Sequence, residues 1–189
     1  MKIINLLIVC TMLVFSCHIS SAFEVLNGEI IEITGPDDLE LDPSNTVIAV
    51  DVFGNGDSVI NDVEFFTDRA GLGAQVTGEG IVEKDGVSVT TTATNTIDNW
   101  ANAQTFTGSD ADSAFNLSEV MRDIRWSPAP TPLTIDIAGL NSGGIYNLKL
   151  LFNEGADRDR GWDIASNGEI IVDNITSEGG DGFWSPENT

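Results

Sequence analysis

The sequence predicts an all-β protein, an antiparallel β-sandwich with one short helix. Short runs of β-branched and aromatic residues recur along the chain and end at Gly, Pro, Asn or Asp. Two dipeptides, Asp85-Gly86 and Asn167-Gly168, have the composition of tight hairpin turns. Only one segment, FNLSEVMRDIRW, combines helical spacing of apolar residues with a capping pattern. Strands of this length, joined by mostly local turns, are typical of a sandwich.

The first segment, residues 1–22, has the pattern of a secretory signal peptide. A positive start is followed by a short apolar run and by small residues that end at Ala22. We therefore expect one mature domain, residues 23–189, that is secreted to an extracellular or periplasmic location and is not inserted in a membrane. The alternative is a lipid anchor on Cys17, because VFSC resembles a bacterial lipobox. Phe15 is bulky where that motif has a small residue.

Removal of the signal peptide would leave the mature domain without Cys and His side chains, which restricts the kinds of site that it can form. The two cysteines and the single histidine all precede Ala22. What remains can form no disulfide, no catalytic triad or dyad that needs His or Cys, and no zinc site built from them. The chain carries 30 acidic and 8 basic residues, a net charge of −22. Such a surface repels phosphate and anionic lipid, which argues against nucleic acid as a partner.

The predicted strands follow one another along the mature chain. Four runs have strand composition, at residues 29–33, 47–53, 63–66 and 133–137. The Asp85-Gly86 turn joins GIVE to VSVTTT, and the Asn167-Gly168 turn joins WDIAS to EIIVDN. In YNLKLLF, apolar and polar residues alternate, which predicts a half-buried strand with Tyr146, Leu148, Leu150 and Phe152 on the buried face and Leu151 as an exception.

The predicted helix runs from about Leu117 to Trp126. Asn116 is the expected N-cap, Glu119 completes a capping box, and Phe115 with Val120 has the spacing of a hydrophobic staple. The apolar face consists of Leu117, Val120, Met121 and Ile124. Prolines at 128, 130 and 132 prevent the helix from continuing.

A family resemblance rests on residues 140–174. A strand with Tyr, Leu, Leu, Phe and Glu at alternate positions leads through an arginine-bearing loop to a strand and an Asn-Gly turn. This part of the chain resembles the second half of malectin and malectin-like domains, which have a galactose-binding-like jelly roll. The matching residues are Tyr146, Leu148, Leu150, Phe152, Glu154, Arg160, Trp162, Asp163, Ile164, Asn167 and Gly168.

The resemblance implies a jelly-roll sandwich that recognises carbohydrate. It also implies that Arg160 clamps its loop against a carboxylate and that Trp162 packs inside the sandwich, while Asp157 and Arg158 stay exposed. Two features depart from the family. Its sugar-contacting aromatics lie on loops of the first half, whereas Tyr146 is the single tyrosine of this chain. The chain also ends at FWSPENT, where the family has at least one more strand, so the domain is either truncated there or has an open edge.

Candidate binding residues fall in polar loops. Tryptophans can stack on sugar rings while neighbouring Asp and Asn side chains accept hydroxyl hydrogens. The carbohydrate-binding candidates are Trp100, Trp184, Asp98, Asn99 and Asp181. Clustered oxygen ligands suggest Ca²⁺ as a cofactor in either of two loops, although neither follows the EF-hand spacing. The metal candidates are Asp110 and Asp112 in one loop and Asp51, Asn55 and Asp57 in the other.

These patterns lead to three functional hypotheses. The first is a secreted, non-catalytic module that binds a glycan or extracellular polysaccharide. The second is a structural or adhesive surface protein that contacts other proteins and no sugar. The third is a small glycoside hydrolase, which would need a pair of carboxylates. The sequence singles out no such pair.

Overall fold

The computed structural model describes residues 7–9, 15–17, 31–69, 78–100, 103–128, 130–152 and 161–176. This part of the chain is mostly β, with a single α-helix and one 3₁₀ helix. The prediction of a β protein with one short helix is therefore confirmed at the level of class. The same residues contain no helix that is long and apolar enough to cross a membrane.

The elements are short and follow one another closely. The strands are β1 Leu7–Val9, β2 Phe15–Cys17, β3 Ala49–Asp51, β4 Ser58–Ile60, β5 Val63–Thr67, β6 Gly78–Lys84, β7 Val87–Ala93, β8 Asn95–Ile97, β9 Ile124–Trp126, β10 Leu133–Ala138, β11 Lys149–Leu151, β12 Gly161–Ser166 and β13 Glu169–Thr176. The 3₁₀ helix is Pro36–Leu39, and the α-helix, α1, is Ala111–Val120.

The largest sheet has six strands in the order β13-β12-β2-β10-β7-β6. Its two sides are antiparallel, with β6, β7 and β10 on one side and β12 and β13 on the other. Between them β2 pairs parallel with both β10 and β12. Three smaller sheets have the orders β3-β5-β4, β8-β9 and β1-β11, and two of them contain parallel pairs. The sheets are therefore mixed, where the sequence predicted antiparallel pairing.

Both predicted hairpins are present. Asp85 and Gly86 have φ values of 51° and 82°, and Asn167 and Gly168 have φ values of 50° and 85°. Consecutive positive φ values are those of a type I′ turn, which matches the twist of the flanking strands. The turns join β6 to β7 and β12 to β13.

Two predicted strands are shorter than their sequence runs, and a third is not formed by those of its residues that the structure describes. Residues 31–33 form no strand, and residues 29–30 lie outside the described part of the chain. The run at 47–53 is a strand only over Ala49–Asp51, because the chain turns at Phe53, whose φ is 66°. The run after Tyr146 is a strand only over Lys149–Leu151. Its predicted buried face is correct for Tyr146, Leu150 and Phe152, which pack against the core. It is wrong for Leu148, which is 39% exposed, and Leu151 is itself buried at 2% exposure.

The helix begins earlier than predicted. Asp110 is the N-cap, and its carboxylate accepts the backbone N–H groups of Asp112 and Ser113 at 3.0 and 3.3 Å. Asn116 therefore lies within the helix, and its predicted role as cap is wrong. The predicted staple is also wrong, because Phe115 is 63% exposed. The helix ends before Ile124, which lies in β9.

The hydrophobic core joins the strands to the helix. Buried apolar side chains come from β3, β5, β7, β10 and α1, among them Val50, Phe65, Val89, Leu117, Val120 and Ile135. Helix α1 packs against β4 and the 3₁₀ helix. Strand ends anchored in this core place the loops that follow β3, β5, β8 and α1.

Candidate functional site

Four loops meet in a network of polar side chains. The Nδ2 group of Asn55 donates to Oδ1 of Asp98 at 2.5 Å. The Nη1 group of Arg69 donates to Oδ1 of Asn55 and to Oδ2 of Asp98, both at 2.7 Å. Beside them the backbone N–H of Asn99 donates to Oδ1 of Asp123 at 3.0 Å. We call this group, Asn55, Arg69, Asp98, Asn99, Trp100 and Asp123, the polar rim.

A buried ion pair lies beneath the polar rim. The side chains of Asp68 and Arg125 are both fully buried, with Nε of Arg125 2.6 Å from Oδ2 of Asp68. A second bond joins Nη2 to Oδ1 at 3.2 Å. Asp68 also accepts the hydroxyl of Thr91 at 2.5 Å and the backbone N–H of Phe53 at 2.6 Å. Since a buried carboxylate is stable only when it is paired and hydrogen-bonded, this arrangement fixes the end of β5 against β7 and β9.

The ion pair also explains a glycine in β6. A Cβ atom on Gly80 would collide with the guanidinium of Arg125 and the carboxylate of Asp68. Gly80 lies opposite Thr91 in the β6–β7 ladder, and Thr91 is itself a partner of Asp68. The absence of a side chain at Gly80 therefore makes the space in which the pair sits.

Phe53 lies between two guanidinium groups. Its ring centroid is 4.5 Å from Cζ of Arg69 and 5.6 Å from Cζ of Arg125. The residue is fully buried and has a φ of 66°, a conformation that is uncommon for a bulky side chain. Backbone strain of this kind concentrates at functional sites. Here the strained turn holds the ring against Arg69, so cation–π attraction helps to orient a rim residue.

Asp51 is a buried carboxyl group next to this turn. It is 2% exposed, and its Oδ1 has no hydrogen-bond partner among the described residues. A Cβ atom on Gly54 would collide with the carboxyl group, which shows how closely the turn encloses it. Burial, reinforced by the negative charges of Asp123, Asp68 and Asp57, raises the pKa of Asp51 well above its usual value. The protonated form is therefore favoured at this position.

The two rim carboxyl groups have opposite pKa shifts. Burial opposes ionisation of Asp98, but the hydrogen bonds from Arg69 and Asn55 outweigh it and lower the pKa of this residue. Burial raises the pKa of Asp123 to about 7, against the opposing effect of the N–H from Asn99. Near neutral pH the polar rim therefore holds one ionised carboxylate and one carboxyl group that is close to its midpoint.

Three predicted sugar-binding residues lie on the polar rim. Asp98 and Asn99 are exposed, and Trp100 is half-buried, with its backbone N–H donating to the carbonyl of Arg122 at 2.9 Å. The other two, Trp184 and Asp181, lie outside the described residues. Arg160 and the charged loop around it also lie outside. Trp162 belongs to β12 by its backbone, and the prediction that its ring packs inside stays a prediction.

The predicted metal loops have separate structural roles. Asp110 caps α1, and its Oδ2 also accepts the hydroxyl of Ser113 at 2.7 Å. In the other loop, Asn55 joins the polar rim, and Asp57 accepts the backbone N–H of Thr67 at 3.0 Å. Among the described residues no three His, Cys, Asp or Glu side chains are grouped so that they could hold a metal ion. The calcium hypothesis stays a prediction, and equal melting temperatures in calcium and in chelator would contradict it.

Sequence reasoning missed Asp68, Arg69, Asp123 and Arg125. Asp68 and Arg69 come directly after the apolar run VEFFT, and Asp123 and Arg125 flank Ile124. Charged residues next to an apolar strand are the sequence pattern by which these four residues could have been identified. The sequence pattern predicts a helix around Ile124, where such charges would lie on the solvent-facing side.

Comparisons with known proteins assign no family to the chain. A scan against protein-family models, a search of curated proteins and a search of solved structures each gave no significant match.

Proposed function

We propose that the polar rim is the carbohydrate-binding surface of a secreted, non-catalytic module. The observation that carries this proposal is the closed triangle of hydrogen bonds among Asn55, Arg69 and Asp98, directly before the half-buried Trp100. Planar amide, carboxylate and guanidinium groups bond pairs of hydroxyl groups, and an indole ring packs against the apolar face of a sugar. Polar groups fixed before binding lose little entropy when a ligand arrives.

The layer below the rim supports this arrangement. Arg69 is held by the ring of Phe53 on one side and by two acceptor oxygens on the other. Phe53 is held in turn by its N–H bond to the buried Asp68. The rim is thus built on a rigid base, which is what a binding surface needs for specificity.

Two further points favour binding over hydrolysis. Both oxygens of Asp98 already accept hydrogen bonds, from Asn55 and from Arg69, so this carboxylate acts as an anchor and is a poor nucleophile. Asp123 is 5% exposed and holds the backbone of Asn99. A jelly-roll sandwich of the malectin-like type belongs to the same proposal, supported by the two hairpins and the resemblance of residues 140–174.

A glycan array with matched variants tests the proposal. We expect saturable binding to a defined set of uncharged glycans, because the strongly acidic chain repels anionic ones. Asp98→Ala and Trp100→Ala should each weaken binding by roughly tenfold or more, the effect of losing about 1.4 kcal/mol. Asp112→Ala removes an exposed carboxylate from α1 and should bind normally.

Two results would contradict this function. One is a blank array from a protein with a normal melting transition. The other is release of reducing sugar that disappears in Asp98→Asn or Asp123→Asn, which would make the protein a hydrolase.

One observation favours a structural or adhesive role as the second candidate. Both outer strands of the six-stranded sheet expose large apolar residues, Ile81 at 50% on β6 and Ile170 at 59% on β13. Exposed edge strands can pair with other chains. Concentration-dependent self-association in analytical ultracentrifugation, abolished by Ile81→Lys or Ile170→Lys and joined to a blank array, would establish this role instead.

A further inference from the structure

A polar cleft of about 280 Å³ is built by loops that contribute nothing to the polar rim. Its walls are the turn that precedes β3, the Asp85-Gly86 turn between β6 and β7, and the loop between β10 and β11. The polar side chains that line it belong to Ser44, Asn45, Thr46, Asp85, Asn141 and Tyr146.

One wall carries an aromatic ring in a fixed position. The hydroxyl oxygen of Tyr146 accepts the backbone N–H of Asn141 at 2.9 Å, which holds the tip of the ring. A Cβ atom on Gly144 would collide with Cε2, Cζ and Oη of Tyr146, so the ring lies directly on this glycine. The backbone turns at Gly143, whose φ is 75°. The ring is thus held at its hydroxyl tip and beside Gly144 before any ligand binds.

A second wall is held by Asp42. Its carboxylate accepts the N–H and hydroxyl of Ser44 at 2.9 and 2.7 Å and the Nδ2 group of Asn45 at 2.5 Å. Its backbone carbonyl accepts the hydroxyl of Thr46 at 2.8 Å. The amide of Asn45 also carries an acceptor oxygen, and Asn45 is one of the residues that line the cleft.

Close backbone contact brings the remaining two walls together. Gly139 has a φ of 83°, and a Cβ atom there would collide with the carbonyl oxygen of Gly86. Only glycine allows the β6–β7 turn and the loop after β10 to approach this closely. Asp85 is exposed on that turn and adds a carboxylate to the lining of the cleft.

The lining defines the class of ligand. None of the lining residues is Lys or Arg, and one is Asp, so an anionic ligand is disfavoured. Hydroxyl, amide and carboxylate groups beside one aromatic ring and the apolar Val47 and Leu140 suit a ring that has hydroxyl edges and C–H faces. The volume lies just below the roughly 300–1,000 Å³ of pockets for drug-sized ligands, which suits a single small ring.

We propose that this cleft binds one neutral sugar residue. The ring of Tyr146 packs against the C–H face of the sugar, and the side chains of Asn45, Asp85 and Asn141 bond its hydroxyl groups. The cleft uses no residue of the polar rim, so sugar binding at the cleft can be tested independently of the function proposed for the polar rim.

Titration of ¹⁵N-labelled protein with free sugars, followed by NMR, tests the cleft. The probes are D-glucose, D-galactose, D-mannose and N-acetyl-D-glucosamine, with choline as a cationic comparison. We expect at least one sugar to shift the amide signals of Ser44, Asp85 and Asn141 saturably. Asp85→Ala and Asn141→Ala should each weaken that response by roughly tenfold, since each removes hydrogen bonds to the ligand. Asp112→Ala, which removes a carboxylate from α1, should respond like the unchanged protein.

Three results would overturn this inference. The first is that no sugar shifts these amide signals in a protein whose spectrum is that of the folded chain. The second is that choline shifts them and the sugars do not, which would make the cleft a cation site. The third is that sugars shift only Asp98 and Asn99, a result that would support the polar rim and refute the cleft.

Discussion

At the scale of single residues, the ion pair between Asp68 and Arg125 is the most deeply buried ion pair among the residues that the structure describes. Both side chains are fully buried, and removal of one partner leaves an uncompensated charge. Asp68→Ala should therefore lower the free energy of unfolding by about 3–5 kcal/mol, measured by urea denaturation. The matched control is Asp98→Ala, which breaks the ion pair between Asp98 and Arg69. In that pair the side chain of Arg69 is 14% exposed and that of Asp98 is 36% exposed. This more exposed pair should contribute about 1 kcal/mol or less. Equal losses in the two variants would contradict the difference in burial.

Asp123 predicts a specific dependence of stability on pH. Its pKa rises from the usual 3.8 to about 7 in the folded protein. The folded state therefore binds more protons than the unfolded state across this window, and stability must fall as the pH rises through it. Each unit of pKa difference corresponds to about 1.4 kcal/mol.

Asp123→Asn removes this titration and keeps an acceptor for the N–H of Asn99. The variant should gain stability relative to the unchanged protein as the pH rises from 5 to 8, in thermal melts across a pH series. Loss of the Asp123 charge also reduces the upward shift of the Asp51 pKa, which changes the pH dependence of stability in the same direction. Parallel pH profiles for the two proteins would refute the assignment.

Sequence reasoning succeeded where the determinants are local. Asp85-Gly86 and Asn167-Gly168 each encode a turn within two residues, and both hairpins are present. The ion pair between Asp68 and Arg125 joins residues 57 apart in sequence, and no local pattern specifies it. The same holds for the polar rim. The polar loop around Asp98 indicates a binding residue, but the bond between Asp98 and Asn55 depends on the folded positions of β3 and β8.

At the scale of elements, the start of α1 shows why local patterns can mislead. Asp110 and Asn116 are both acceptable caps, and the sequence alone favoured Asn116 because Glu119 follows it at the right spacing. The structure uses Asp110, which lets Ala114 join Leu117 in the buried face of the helix. Tertiary packing therefore decides between two competent caps.

Loss of the true cap should be measurable. Asp110→Ala removes the acceptor for two backbone N–H groups and one hydroxyl, and should lower the free energy of unfolding by about 0.5–2 kcal/mol. Asp112→Ala removes a carboxylate from the same turn. Asp112 contacts the cap only through its backbone N–H, which the substitution keeps. This variant should change stability by clearly less. A larger loss in Asp112→Ala than in Asp110→Ala, by urea denaturation, would contradict the observed cap.

At the scale of the whole molecule, the buried core residues and the candidate sites all follow the predicted signal peptide in sequence. The buried core residues run from Leu39 to Ile164, and the polar rim and the cleft use residues from Ser44 onward. Strands β1 and β2, by contrast, fall within residues 1–22 and pair with β11, β10 and β12 through their backbones. Cleavage after Ala22 would remove both strands and leave the facing edges of β10 and β12 without the strand between them.

The proposed secretion implies that the chain is cleaved after Ala22. We expect the mature protein to begin at Phe23, by N-terminal sequencing and intact mass, because the small residues before that position suit a signal peptidase. The shortened chain should still unfold in one cooperative thermal transition, since the β6-β7-β10 ladder, the β12–β13 hairpin and the buried core are all retained. A mature chain that begins at a lipid-modified Cys17 would establish the anchored alternative. Retention of Met1 in the secreted protein would show that β1 and β2 belong to the working fold, with β2 closing the six-stranded sheet between β10 and β12.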